Sequence, residues 1–179
     1  EAYAMTGVSM LEAAMNKGIR IVIDGQQEKG CYTYGYGPGP KQDLSVAGWN
    51  FQALKAAYGA GCEEKGLQEA IYKAIDWLKM AGDTEKGFPY DLTKQENGGD
   101  KHTMRAVGCL CLQLFGEGKT AEIQDDLKKI ATTDLAKYSW NNPPRESLYG
   151  WYYATQAMFQ NGGVSWKAWN RKFQKELTD

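Results

Sequence analysis

Three stretches of this chain carry almost no charge, and they alternate with stretches that are charged on one side only. Residues 43–61 (DLSVAGWNFQALKAAYGAG) hold Lys55 as their only charge after Asp43, residues 103–115 hold only Arg105, and residues 148–160 hold none. A helix that is apolar, small or aromatic all round must be covered on most sides. The intervening stretches differ. Over residues 67–80, Leu67, Ala70, Ile71, Ala74, Ile75 and Leu78 form one stripe, while Lys65, Glu69, Lys73, Asp76 and Lys79 take the other side. Residues 121–131 set Ile123, Leu127, Ile130 and Ala131 against Glu122, Asp125, Asp126, Lys128 and Lys129. Residues 165–177 set Trp166, Trp169, Phe173 and Leu177 against Lys167, Arg171, Lys172 and Lys175. These are amphipathic helices with one wet face.

The N-terminal part follows the alternation less cleanly. Ala4, Val8, Leu11 and Met15 make a helical stripe that ends near Lys17 and Gly18, and residues 19–27 would be its partner. Ile19, Ile21 and Ile23 also alternate with period two, so a strand stays open there. Helix is the preferred reading, by analogy with the later units. The result is about four helical pairs, each a buried helix followed by an amphipathic one. Ala53-Leu54, Cys111-Leu112 and Ala157-Met158 fall at equivalent points of the three clearest buried members. Repeated helical hairpins build an open solenoid or a closed α/α toroid. The nearly uncharged first members favour the toroid, partial or complete, with buried inner and amphipathic outer helices.

At 179 residues the chain suits a single domain spanning 1–179 with a sizeable core. A formal net charge of -1 supplies no basic surface for nucleic acid, and no stretch reaches the length of a membrane-spanning helix. The start, Glu1-Ala2-Tyr3, lacks an initiator Met and a signal-peptide pattern. It suits a mature form, a trimmed chain or one domain of a longer protein, and a secreted or periplasmic location would follow from the first. The excess lies in 21 Gly, 6 Trp and 11 Tyr, against one His that rules out a multi-His metal centre within the chain. Residues 30–40 (GCYTYGYGPGP), 87–90 (GFPY) and 138–144 (YSWNNPP) are Gly/Pro turns whose aromatics would plug one hairpin onto the next. Cys109 and Cys111, two apart on a helix, point to different faces. A Cys31–Cys62 pair is geometrically open, although small buried thiols are the preferred reading of all four cysteines.

The segments SVAGWNFQALKAA, TMRAVGCLCLQLFG and LYGWYYATQAMFQNGGVSWKAWNRKF resemble the squalene-cyclase and prenyltransferase repeat. The last is the most specific and is similar to a bacterial group of terpene-cyclase-like proteins of unassigned function. The resemblance runs from about Ala2 to Leu177. It implies an α/α toroid, although enzymes of that shape use more helical pairs than this chain supplies.

Each chemistry of that shape can be tested on its own residues. Hopene-type cyclases protonate an alkene from a D-x-D-D-T cluster, and the resemblance places Asp43 of Lys41-Gln42-Asp43-Leu44-Ser45 at the proton donor's position. Lys41 and Leu44 replace its acidic partners, so Asp43 is expected to cap the buried helix, with a catalytic acid as the weaker candidate. The D-x-C pair of prenyltransferase zinc sites is absent, and His102, near Asp100 and Asn97-Gly98-Gly99, reads as a surface-turn or helix-start residue. A zinc site through Cys109 or Cys111 would need a long-range convergence that sequence does not display. Gly30-Cys31-Tyr32 lacks the Glu-Gln of a thioester motif. G-x-S-x-G, a phosphate-binding Gly loop and H-E-x-x-H are missing. No cofactor and no metal site is expected.

What remains is an aromatic set on the inner helices: Trp49, Phe51, Tyr149, Trp151, Tyr152 and Tyr153. Core packing is the preferred role, and Trp49, Tyr149, Trp151 and Tyr152 are the candidates for lining a ligand pocket. The expected function is a non-catalytic binding or scaffolding module with a protein or a hydrophobic small molecule as partner. The alternative is an orphan enzyme or an isoprenoid-binding protein using an aromatic-lined central cavity.

Overall fold

The structure, a computed structural model, describes residues 1–35, 39, 41–82, 87–93, 101–137, 139 and 147–178. Among these residues there are eight α-helices and no strand: α1 (Ala2–Thr6), α2 (Glu12–Asp24), α3 (Leu44–Gly59), α4 (Leu67–Gly82), α5 (Lys101–Leu114), α6 (Ala121–Lys129), α7 (Ser147–Asn161) and α8 (Gly163–Thr178). The only β-type pairing among them is an isolated bridge between Asp43 and Asp91. The chain is all-α, as its periodicity requires, and the strand alternative at residues 19–27 falls away.

The N-terminal pair does not form as expected. Instead of breaking near Gly18, α2 runs through it, and the chain breaks earlier at Gly7, whose φ of 66° caps α1 in the left-handed conformation. One internal glycine costs a helix only about 1 kcal/mol, which the packing of Met15, Ile19, Val22 and Ile23 against the core offsets. Ile21 is exposed, so the period-two isoleucines were a by-product of a helical stripe.

The remaining six helices form three hairpins. The first members, α3, α5 and α7, pack together with α5 in the middle, and α2, α4, α6 and α8 pack against them. Small residues permit this close approach. A Cβ on Gly48 of α3 would lie 2.7 Å from Val107 Cγ1 of α5 and 3.4 Å from the Tyr153 hydroxyl of α7. Cys111 Sγ lies 3.9 Å from the Gly48 carbonyl, and Gln52 Nε2 donates to the Tyr153 hydroxyl at 3.2 Å. Buried on α5 are Ala106, Val107, Cys109, Leu110, Cys111 and Leu112, which accounts for its lack of charge.

The outer helices bury one stripe each. In α4 this is Leu67, Ala70, Ala74, Trp77, Leu78 and Ala81. Trp77, which the sequence stripe left out, is the largest of these, and its Nε1 donates to Gln42 Oε1 at 2.6 Å. Ile123 and Leu127 bury α6, after which Ile130–Asp134 winds as a π turn and Leu135–Lys137 as a 3₁₀ turn.

Two of the loop aromatics are plugs. Tyr32 is fully buried, donates its hydroxyl to the Val22 carbonyl at 3.0 Å and meets Phe51 edge-on at 5.9 Å between centroids. Phe88 sits between Gly82 of α4 and Gly108 of α5, where an added Cβ would lie 2.8 Å and 2.4 Å from its ring. Tyr34, by contrast, is exposed and plugs nothing. In the third loop (138–144), all but Ser139 lies outside the described residues.

Gly108→Ala forces a methyl group into the Phe88 ring and should cost about 1–3 kcal/mol, the range for overpacking a tight core. Urea unfolding followed by far-UV circular dichroism reads this as a lower midpoint at unchanged slope. A midpoint equal to the parent's would mean that Phe88 does not fill this gap.

Candidate functional site

Asp43 is the N-cap of α3, as expected. Its side chain is completely buried; Oδ1 accepts from the Ser45 and Val46 amides at 3.0 and 3.1 Å and from the Ser45 hydroxyl at 2.5 Å. Lys41 Nζ lies 3.1 Å from Oδ2. Three donors thus hold Oδ1, while Oδ2 is buried without a hydrogen-bond partner and faces the Lys41 ammonium as an ion pair.

A second buried carboxylate, which sequence reasoning missed, lies beside it. The bridge between Asp43 and Asp91 is made by the Leu44 amide donating to the Tyr90 carbonyl at 3.0 Å and the Leu92 amide to the Gln42 carbonyl at 3.2 Å. Asp91 Oδ1 accepts from Thr93 Oγ1 at 2.6 Å, the Thr93 amide at 3.0 Å and the Gln42 amide at 3.4 Å, while Oδ2 is buried without a hydrogen-bond partner. Burial works to raise the Asp91 carboxyl. The Thr93 and Gln42 hydrogen bonds and the charge of Lys41 outweigh that and hold it below the usual carboxylate range.

The Lys41 ammonium lies 5.5 Å from the Tyr34 ring centroid and 5.3 Å from that of Tyr90, a double cation–π contact. Its pairing with Asp43 raises it above the ordinary lysine range. Burial, then the Tyr34 hydrogen bond, push the Tyr90 hydroxyl up. The cluster therefore pairs two carboxylates, one ammonium and two tyrosines at the entrance to α3. Both Oδ1 atoms are fully engaged by donors on the loops and on α3, which suits fastening, while both Oδ2 atoms are buried without a hydrogen-bond partner.

The inner aromatic candidates divide into two groups. Trp49 of α3 stacks on Tyr152 of α7 at 5.4 Å and 28°, and both meet Tyr153 edge-on. Tyr149 completes the group, 4.9 Å from Tyr153, with its hydroxyl 3.4 Å from the Ser45 carbonyl. Burial raises the hydroxyls of both Tyr149 and Tyr153, keeping them protonated at neutral pH. Trp49 is 50% exposed and Tyr152 44% exposed, so the pair forms a ledge open to solvent. Trp151 is not part of it. It points the other way, against Trp169 at 5.5 Å and Phe173 at 5.3 Å of α8, and serves the α7–α8 hairpin.

His102 belongs to the first turn of α5, as a helix-start residue would, but it is not on the surface. Its side chain is 13% exposed, with Nδ1 2.5 Å from Asp134 Oδ1. Arg105 Nη1 lies 2.5 Å from Asp134 Oδ2, and Arg105 Nε 3.4 Å from Asp126 Oδ1. His102 and Arg105 share a face at i, i+3, so half of this cluster was legible. Asp126 and Asp134 are about 80° out of line on an unbroken α-helix, and the wider π turn takes up much of that offset. The Asn97-Gly98-Gly99 and Asp100 lead-in lies outside the described residues.

All four cysteines are free thiols; Cys31, Cys109 and Cys111 are buried and Cys62 is partly so. Burial pushes Cys111 up to about 12 and Cys31 and Cys109 well above the ordinary thiol range, which makes them poor nucleophiles and metal ligands. Among the described residues, no three His, Cys, Asp or Glu side chains are placed to hold a metal ion. No helix among the described residues is long and apolar enough to cross a membrane.

In comparisons with known proteins, no family model matches the chain, and neither does any curated protein or solved structure.

Because Asp91 is held below its ordinary value, its carboxylate stabilises the fold above the unfolded-state value of about 3.9. That contribution is lost as pH falls through the lower folded-state value. Asp91→Asn should therefore unfold in less urea at pH 7 and show a shallower loss of stability on acidification than the parent. Parallel acid limbs for the two proteins would mean that Asp91 is not held in this way.

Proposed function

We propose that the chain is a non-catalytic domain built on the terpene-cyclase-like helical repeat, an arc of an α/α toroid that acts as a binding or scaffolding module. The observation that carries this reading is the uncovered side of the inner helices. On α7, Leu148, Tyr152 and Phe159 are exposed at helical spacing, and Tyr152 stacks on the half-exposed Trp49 of α3. A helix low in charge that leaves such a stripe in solvent has an apolar surface to offer a partner. In a toroid, this is the side on which further inner helices would sit.

Two further observations support a module over an enzyme. Asp43, the one residue at a catalytic position of the resembled family, is occupied as a cap and ion pair. The centre between α3, α5 and α7 is filled at Gly48 by Val107, Cys111 and Tyr153. The orphan-enzyme or isoprenoid-binding reading needs room at that place.

Incubating the purified chain with farnesyl diphosphate and with squalene, and extracting products for mass spectrometry, tests the reading. No product is expected from either. Turnover that disappears in Asp43→Asn, a change that keeps a good N-cap residue, would refute the module and restore the enzyme.

A further inference from the structure

We infer that the cleft between α4 and α6 is a binding site for a small amphiphilic ammonium compound, an apolar body carrying one protonated amine. The cleft measures about 430 Å³, within the range of small-molecule sites. Its described lining includes none of the ledge residues Trp49, Tyr149, Tyr152 and Tyr153. Among the described residues, its apolar lining includes Leu78 of α4, Phe88 of the plug, Leu112 of α5 and Ile123 of α6. All four are at least nine-tenths buried, so the walls are fixed by the core itself.

The polar groups at its edge decide what can enter. Among the described residues, Glu117, Thr120, Glu122 and Asp126 contribute to the lining, with Lys79 as the one base. Lys79 Nζ is already paired with Glu117 Oε2 at 3.1 Å, and Asp126 with Arg105 Nε at 3.4 Å and Lys129 Nζ at 3.1 Å. Glu122, in the first turn of α6, is exposed and forms no ion pair among the described residues. What the described rim offers an incoming molecule is thus acceptor oxygen, with Glu122 as a hydrated carboxylate open to pairing with a cation. A carboxylate ligand would meet like charge, and a neutral alcohol would gain no charge pairing with Glu122. An ammonium group pairs with it while its apolar body covers Leu78, Leu112 and Ile123. The edge of the Phe88 ring is part of the same apolar floor.

Titrating the isotope-labelled chain with phenylbutylammonium, phenylbutanol and phenylbutyrate, and following amide shifts, tests this. The ammonium compound should shift Leu78, Leu112 and Ile123 together, and bind about fivefold tighter than the alcohol, the scale of an exposed ion pair. Phenylbutyrate should be the weakest. Glu122→Lys, an exposed change whose folding is checked by circular dichroism, should reverse the order of the two charged probes. Glu122→Gln should bring the ammonium compound level with the alcohol. Equal responses to ammonium and alcohol in the parent would overturn the inference. So would an unchanged order in Glu122→Lys, shifts centred on other residues, or no shifts at all.

Discussion

The structure depends on how closely α3, α5 and α7 approach one another. All three carry small buried residues: Ala47 and Gly48 on α3, Ala106 on α5, and Ala154 and Ala157 on α7, with the alanines completely buried. Small residues let helix backbones come near enough for ridges to fill grooves at crystal-like density. A single Cβ at Gly48 would already collide with Val107. With the inner helices fixed in this way, the large side chains have to pack elsewhere. Phe88 fills the notch left by Gly82 and Gly108, Trp77 and Tyr32 flank Phe51, and Trp151 turns outward to Trp169.

That arrangement bears on function. A fold of this kind can devote its aromatics to a central cavity or to its own core. Here the helix junction is closed, and the aromatics left over lie on its open side, where Trp49 and Tyr152 stack in solvent with Tyr153 and Tyr149 behind them. The carboxylates follow the same logic. Asp43 and Asp91 join the loop before α3 to the one after α4, and Asp134 joins the π turn to α5 through Arg105 and His102. Each buried acid has a fastening role that accounts for its position.

The all-α class was legible because both the uncharged and the one-sided stretches have helical length and period, although α3 and α7 leave Trp49, Tyr58, Leu148, Tyr152 and Phe159 exposed where their lack of charge implied cover. Asp43 as a cap and Tyr32 and Phe88 as plugs were legible for the same kind of reason: each depends on local chain geometry. Legibility failed where contacts join distant residues. Asp91 meets Asp43 through a bridge across 48 positions, counted from the residue numbers. His102 looked like a surface residue because its partner Asp134 is delivered by a π turn that no periodicity announces. Trp151 and Tyr152 are neighbours in sequence and face opposite ways, so membership of an inner helix did not settle which ring would line the open side.

The central claim is that Trp49 and Tyr152 form an open contact surface while Trp77, Trp151 and Trp169 are committed to the core. Fluorine NMR of the 5-fluorotryptophan-labelled protein with a soluble paramagnetic agent tests it most directly, with signals assigned by single Trp→Phe changes. The account predicts strong broadening of the Trp49 signal, with Trp77, Trp151 and Trp169 protected. A Trp49 signal as protected as that of Trp77 would contradict it.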